Sequence, residues 1–502
     1  MRHQQAALEE SLGRREFALF FEQRCGKTKV VIDTASYHFQ CGTIDTVIVI
    51  AWPNGVQHVW AEEWPKDWPN ELPYKLIAWR SGKMQSATAK EQLRALWAFD
   101  GLAVLTMNCE AMATDWGEKV IRGFIERRKG TLLVADESSW AKAPNSARTK
   151  RLLALGRMPN VKLKRILDGT PADEGPFDLY SPCAFLNPDL LGFQNFYFFK
   201  MHHAVMVDGF AAGGRRFKQV VGYRNLEELN RKLSTFSHRV RRADVSDAPP
   251  KLYESRYFQM SDTQQAVYND LRDEYIAHLS DVKFPVAEVL KRMTRLQMVA
   301  RNYWPPEEGG EPCPYCIDTT ISVDCEHCGG LGVAVTISKL ERIDPDVNPA
   351  QEALTSELAS YPGPTVIWAR FRQDVTDALE ASAQAGRKAV RFDGSVPSAE
   401  REEAYRAFRA GEADDIVATI RSGLSRGRDL TRARAMIYYS NEFSLRARRQ
   451  SEDRAESLGR TFSTDVIDLI AEGTRDVDVI TALREKKSIA EIIVGDPAEK
   501  WI

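Results

Sequence analysis

No stretch of this 502-residue chain approaches the ~20 consecutive apolar residues that a bilayer-spanning helix needs, so a membrane role is not expected. The opening MRHQQAALEE lacks the apolar core of a secretory leader, and a cytoplasmic protein is the expectation. Charge of one sign is lacking too. With 68 Lys and Arg against 70 Asp and Glu the net charge is -2, so any hold on a polyanion must come from local patches. Cysteine is sparse outside one cluster: Cys25, Cys41, Cys109 and Cys183 are scattered, which argues for reduced thiols and against a disulfide framework. Repeats of solenoid period and low-complexity tracts are absent as well.

What the chain does have is a series of short apolar runs separated by helix-length segments: FALFF at 17, TVIVIAW at 46, LAVLT at 102, TLLVA at 131 and LKRIL at 163. Runs without strict alternation are the mark of strands buried on both faces, so an α/β domain with a parallel sheet is expected over 1–245. Amphipathic patterns such as NLEELNRKLSTF and DTQQAVYNDLRDEYIAHL follow, with DAPPKL at 247 as a linker, and 246–345 reads as a helical connection or protrusion. From PGPTVIWAR at 362 the alternation returns through KAVRFDG, DIVATI, RAMIYYS and DVIDLI, giving a second α/β domain over 346–502.

FEQRCGKTKV, residues 21–30, ends an apolar strand with Gly26-Lys27-Thr28 and starts a helix. The full phosphate-loop pattern wants a glycine where this chain has Phe21. The physics still suits a phosphate: glycine lets the backbone approach, Lys27 brings positive charge, and Thr28 would ligate magnesium. An exposed turn with a solvated lysine is the bland alternative. TLLVADESSW places Asp136 and Glu137 just past another strand, where one carboxylate can hold magnesium and its neighbour can orient an attacking water. An acidic cap on the next helix is the competing reading. The order of strand, Gly-Lys-Thr, helix and a later strand ending in Asp-Glu is what a nucleotide-hydrolysing domain needs.

CPYCIDTTISVDCEHCGG has the form C-x2-C-x8-C-x2-C, with Cys313, Cys316, Cys325 and Cys328. Four thiolates meet the tetrahedral demand of a structural zinc, and with no open position the metal would staple a finger at 305–335. Four reduced thiols, or iron–sulfur ligation, are the alternatives. The stretch Arg421–Arg449 holds eight arginines against Asp429 and Glu442, a local basic strip that suits phosphate contacts or a solvated face.

Further blocks carry a resemblance. LDGTPA at 167 is similar to the Ser/Thr-Gly-Thr-Pro motif of superfamily two helicases, MRHQQ to their adenine-reading glutamine motif, and VIVIAWPNGVQHVWAEEW to the motif ending in a tryptophan near Trp60. LTMNCEAM resembles an Asn-Tyr-Glu motif with Cys109 for tyrosine. RFDGSVPSAEREEAYRAF resembles the Leu-Asp-Gly-Ser block, IRSGLSRGRDLTRA motif five and QSEDRAESLGR motif six. The chain thus resembles the Swi/Snf-type ATPases of superfamily two, within them the compact bacteriophage-like members, over nearly its whole length.

The resemblance implies two RecA-like P-loop lobes, with helical protrusions and the zinc ribbon inserted between them, working in a bacterial host or phage-infected cell. It implies that Gln23, Arg24, Cys25, Gly26, Lys27 and Thr28 form the nucleotide loop, with Gln4 reading adenine and Gly427 and Gln450 joining the nucleotide contacts. Lys27, Asp136, Glu137 and Arg454 would carry ATP hydrolysis, with magnesium on Thr28 and Asp136. In motif six Glu456 and Ser457 stand where the family has His-Arg, and Arg460 replaces the final Gln. Arg460 is left either as a substitute arginine finger or as a surface residue. Asn108, Thr170, Ser422 and Arg426 are the implied nucleic-acid contacts. The expected function is an ATP-dependent DNA translocase or helicase, with duplex favoured and single strands left open, and a finger that touches DNA or a protein partner. An RNA-directed helicase and a zinc-ribbon DNA-binding protein with an inactive motor are the rival readings.

Overall fold

The buried apolar runs fold as parallel sheets in a computed structural model. It describes all residues except 53–54, 80–83, 173–174, 211–215, 246–248, 282–285, 307–312, 314–339, 426–427, 443–444, 456–459, 475, 478–479 and 481–502. The chain divides into two units, one built mainly from 1–207 and 218–247 and the other from 208–217 and 248–485.

In the first unit, helix α1 (Arg2–Leu12) leads into strand β1 (Glu16–Phe21), which turns into helix α2 (Lys27–Gln40). Strands β2 (Thr46–Ala51), β3 (Tyr74–Ala78), β4 (Leu102–Asn108), β5 (Thr131–Asp136) and β6 (Val161–Leu167) follow. After them come β7 (Ala204–Phe210) and β8 (Arg216–Tyr223), which pair with each other, and then β9 (Ser237–Val240). The main sheet has the order β3-β4-β2-β5-β6-β1-β9, and every pairing in it is parallel. Its two faces carry separate apolar clusters. Ile48, Leu105 and Leu133 face one side, and Val47, Val104 and Leu132 face the other, as expected of strands covered on both sides.

Two cations are buried in β6 against the rule for charged side chains. The Arg165 guanidinium donates to the carbonyls of Ser11, Arg14 and Arg15, so it closes the carboxyl end of α1, where a positive charge suits the helix dipole. Lys164 pairs with Glu16 at 3.6 Å.

In the second unit, β10 (Leu252–Phe258), β11 (Thr365–Ala369), β12 (Ala389–Phe392), β13 (Asp415–Thr419), β14 (Ala435–Tyr438) and β15 (Asp465–Ala471) form a second parallel sheet, ordered β10-β15-β14-β11-β13-β12. The segment read from sequence as a helical connection therefore contributes an edge strand: Leu252 to Phe258 pair in register with Asp465 to Ala471. Phe258, Tyr268, Leu296, Val299 and Ile343 of the same segment join Ile367, Val417, Ile437 and Leu469 in one core. β10 is hard to see in sequence because LYESRYF places three polar residues in a row, Glu254, Ser255 and Arg256, and lies at an edge, where only Phe258 is buried.

Candidate nucleotide and nucleic-acid site

β1 is followed by a loop in which Arg24 (φ 64°) and Gly26 (φ 81°) are both left-handed. A run of this kind turns successive backbone N–H groups toward one concavity, the shape that cradles anions. Gly26 caps the fourteen-residue α2, whose amino terminus adds a positive dipole end. Inside the loop the Lys27 ammonium donates to the Phe21 carbonyl at 2.7 Å, and Thr28 lies half-buried in the first turn of α2. Cys25 is buried. From α1, the Gln4 amide donates to the Gly26 carbonyl at 3.4 Å and the His3 ring meets the Cys25 carbonyl at 2.9 Å, so the glutamine block packs directly on the loop.

Asp136 ends β5, two strands from β1 with β6 between them. One of its oxygens accepts the Trp60 indole N–H at 2.8 Å, and the other accepts the Glu137 N–H at 2.9 Å. Burial, and after it the Glu137 charge, pushes the Asp136 carboxyl up to about 6, against the Trp60 bond and the Lys27 charge. Glu137 is left-handed (φ 46°), a conformation that non-glycine residues hold mainly where the surroundings enforce it, as at functional sites. Here the Trp140 indole N–H on the Asp136 carbonyl, at 2.9 Å, helps to fix the turn.

The end of β6 ties these pieces together. Asp168, almost fully buried, accepts the Ser139 N–H at 2.9 Å and the Thr170 N–H at 3.0 Å, linking the turn after β5 to the turn after β6. A Cβ on Gly169 would stand 3.3 Å from the Phe21 carbonyl and 3.5 Å from the Gln23 nitrogen, so a small residue lets β6 approach the β1 loop closely. Sequence reasoning singles out neither Asp168 nor Gly169, nor the bond from Trp60. The first two lie in the LDGTPA block, where the motif points to Thr170 alone. Asn108 is buried at the end of β4, with its amide on Glu110 at 3.0 Å. The adjoining Cys109 thiol is pushed up to about 12 by burial, which keeps it protonated.

The structure brings Gln4, Gln23, Arg24, Cys25, Gly26, Lys27 and Thr28 together around one loop, and the loop fits a nucleotide triphosphate. The left-handed turns and helix terminus suit phosphate. Thr28 and Asp136 offer oxygens of the kind magnesium takes.

In the second unit the Arg454 side chain is buried and donates to the Ser425 carbonyl at 2.8 Å, while Leu430 N–H caps its own carbonyl. Gln450 is buried in the helix Leu445–Glu452. Ser422 closes a turn on Thr419 through both its N–H and its hydroxyl. Arg460 stands elsewhere. Its guanidinium donates to the carbonyls of Ala433, just before β14, and Phe462, just before β15, and it lies over the Phe462 ring. That is the amino edge of a parallel sheet, whereas ligands bind at the carboxyl edge, so a substitute finger at Arg460 does not fit this geometry and an anchoring role does.

The basic strip also needs correction. Arg421 pairs with Glu442 at 2.6 Å, Arg428 with Glu402 at 2.7 Å, and Arg448 is buried with Asp468 and Glu452. Arg432 donates to the carbonyls of Phe408 and Ala413, and Arg434 covers the Phe462 ring. These five arginines, neighbours in sequence, disperse into separate internal contacts. Arg426 and Gly427 lie outside the described residues, as do Cys316, Cys325 and Cys328; Cys313 is buried. No helix among the described residues is long and apolar enough to cross a membrane.

Comparison with known proteins matches residues 21–303 to the SNF2-related domain and 350–459 to the helicase conserved C-terminal domain. A similar protein is the TATA-binding protein-associated factor mot1 of Aspergillus fumigatus, 23% identical over 392 residues that cover 72% of this chain and 20% of that one. Another is the DNA annealing helicase and endonuclease ZRANB3 of Bos taurus, 21% identical over 494 residues, or 96% of this chain and 40% of that one. The chain thus spans about a fifth of the length of the first relative and two fifths of the second. Among solved structures, the Pyrococcus furiosus Hef helicase domain aligns over 96% of this chain and 97% of its own at 14% identity, with a TM-score of 0.54, which supports the two-lobed RecA-like fold.

Proposed function

The chain belongs to the family of SNF2-related domains, and from that premise we propose that it is an ATP-dependent motor that moves along or remodels DNA. The observation that carries this reading is the meeting, at the carboxyl edge of one parallel sheet, of a left-handed Gly-Lys-Thr loop and a strand ending in Asp136-Glu137. On this reading the loop from Gln23 to Thr28 holds the phosphates of ATP, and Lys27 leaves the Phe21 carbonyl to meet them. Thr28 and Asp136 hold magnesium, which supplies neutralising charge to the phosphates when bound. Glu137 orients the attacking water. Arg454 is assigned the stabilisation of charge on the transferred phosphoryl group, after release from the Ser425 carbonyl.

Duplex DNA is the proposed track; the printed description of one relative as a DNA annealing helicase supports DNA, and the choice of duplex rests on motif resemblance. Asn108, Thr170, Ser422 and Arg426 are the proposed contacts. Work in the cytoplasm of a bacterial host or phage-infected cell completes the reading, together with kinship to bacteriophage-type members, which rests on motif resemblance.

ATP turnover by the purified chain is expected to rise with duplex DNA more than with single-stranded DNA or RNA, and to lose that stimulation as salt rises. Stimulation by RNA alone would transfer the motor to RNA, and turnover at background with every polymer would sink the motor reading.

The spacing of Cys313, Cys316, Cys325 and Cys328 supports a structural zinc. Elemental analysis is expected to find about one zinc per chain, and a Cys313→Ser, Cys316→Ser double variant to lose it. Loss of DNA stimulation in that variant would make DNA the finger's target, and unchanged stimulation a protein partner. Wild type holding less than about half a zinc, with no iron in its place, would remove the metal from the proposal.

A further inference from the structure

Trp60 is fully buried, yet its one polar atom is spent on a single acceptor, the Asp136 oxygen 2.8 Å away. It ends a π-helical turn, Gly55–Trp60, that follows β2 and runs straight into helix α3 (Ala61–Asp67). Such turns are rare and gather at functional sites because the extra residue re-aims a side chain. What is re-aimed here is an indole N–H from the end of β2 to the end of the neighbouring β5.

The indole cannot swing freely. Trp60 packs on Trp64 with ring centres 6.3 Å apart, Trp64 stacks on Trp68 at 5.6 Å and 25°, and Trp68 meets Phe39 of α2 at 6.2 Å and Tyr74 of β3 at 5.9 Å. Trp68 is itself held by a bond from its N–H to the Leu72 carbonyl at 2.9 Å. A row of three indoles therefore runs from the carboxylate at the nucleotide loop to the far end of α2, the helix that the loop begins.

We propose that Trp60 is a positioning residue for Asp136: its N–H and the Glu137 N–H each hold one carboxylate oxygen, fixing the plane in which that carboxylate meets magnesium. This rests on the reading of Asp136 as the carboxylate that holds the metal. The chemistry recognised is a hydrated divalent cation on ATP. A carboxylate pinned at both oxygens keeps its remaining lone pairs in one direction, so no ordering is needed when the metal arrives. The β2 end and its turn thereby set the geometry of the metal site without touching the metal.

The test uses the full chain, magnesium and a fluorescent ATP analogue, whose binding is titrated with and without the metal. Metal-dependent binding by wild type establishes the nucleotide site; its absence sinks the functional reading before the variants are compared. Trp60→Phe keeps an aromatic ring in the row and removes only the donor. Loss of a partner of this kind weakens metal binding about tenfold or more, so half-saturation by magnesium should move up by that factor while metal-free analogue binding stays as in wild type.

Trp64→Phe is the control, because the Trp64 N–H is buried with no hydrogen-bond partner among the described residues and the ring occupies the next place in the same row. Equal magnesium dependence in Trp60→Phe and Trp64→Phe, or a fall in thermal midpoint in Trp60→Phe with wild-type magnesium affinity, would reduce Trp60 to packing and overturn the proposal.

Discussion

Glu137→Gln is expected to lower ATP turnover about a hundred- to ten-thousand-fold, the range that a positioned acid or base contributes, while ATP still binds. The substitution keeps the size of the side chain and the left-handed turn, and removes the negative charge that would orient or deprotonate water. Lys27→Ala should behave differently. Its ammonium is the charge placed within the loop, and losing a charged hydrogen bond to phosphate should weaken ATP binding about tenfold or more as well as stop hydrolysis. Single-turnover rates and equilibrium binding of an ATP analogue on the two variants separate the roles. Near-normal turnover in Glu137→Gln would remove Glu137 from the chemistry, and unchanged binding in Lys27→Ala would remove the loop from the phosphate.

The second large effect is on stability. Asp374 is fully buried; its Oδ2 accepts from the Ser440 hydroxyl and the Phe371 N–H, and its Oδ1 has no partner among the described residues. Burial pushes its carboxyl up to about 7, with Asp377 adding to the rise and Ser440 and Arg301 opposing it. In the unfolded chain the group loses its proton near pH 4, whereas in the folded chain it keeps the proton until about 7. The unfolded state therefore binds fewer protons between those values, and stability falls as pH rises through the window.

Each tenfold difference in proton affinity between the two states is worth about 1.4 kcal/mol, so the loss by pH 8 is of order 4 kcal/mol. Asp374→Asn keeps the shape and carries no proton to lose. Thermal midpoints of variant and wild type should converge toward pH 5 and separate toward pH 8, with the variant the more stable. Parallel curves across that range would show that Asp374 is ionised in the fold.

How much of this is visible in sequence depends on burial. The runs at 17, 46, 102, 131 and 163 become β1, β2, β4, β5 and β6, because a strand covered on both faces must be apolar nearly throughout. The edge strands β3, β9 and β10 escape a reading of apolar runs, since YKLIA, SHRV and LYESRYF carry the charges that an edge tolerates. At the site, Gly26, Lys27, Asp136 and Glu137 can be found because their chemistry demands those side chains in a set order. Trp60 and Asp168 act through hydrogen bonds across strands that are distant in sequence, and spacing has no signal for such pairs. The arginines between 421 and 449 teach the reverse lesson: a charge run says nothing about which way each side chain turns.

β10 and β15 have a consequence for how the second lobe is made. The edge strand ends at Phe258 and its parallel partner begins at Asp465, so some two hundred residues must leave the ribosome after β10 before it can pair. At about 5 to 20 residues per second, β10 waits roughly 10 to 40 s with Phe258 uncovered and its backbone unpaired. A fragment begun at residue 346 would lack the strand altogether and would present β15 as a bare apolar edge, the surface on which chains stick to one another. A cut near 248 keeps both, and is where a soluble second lobe should start.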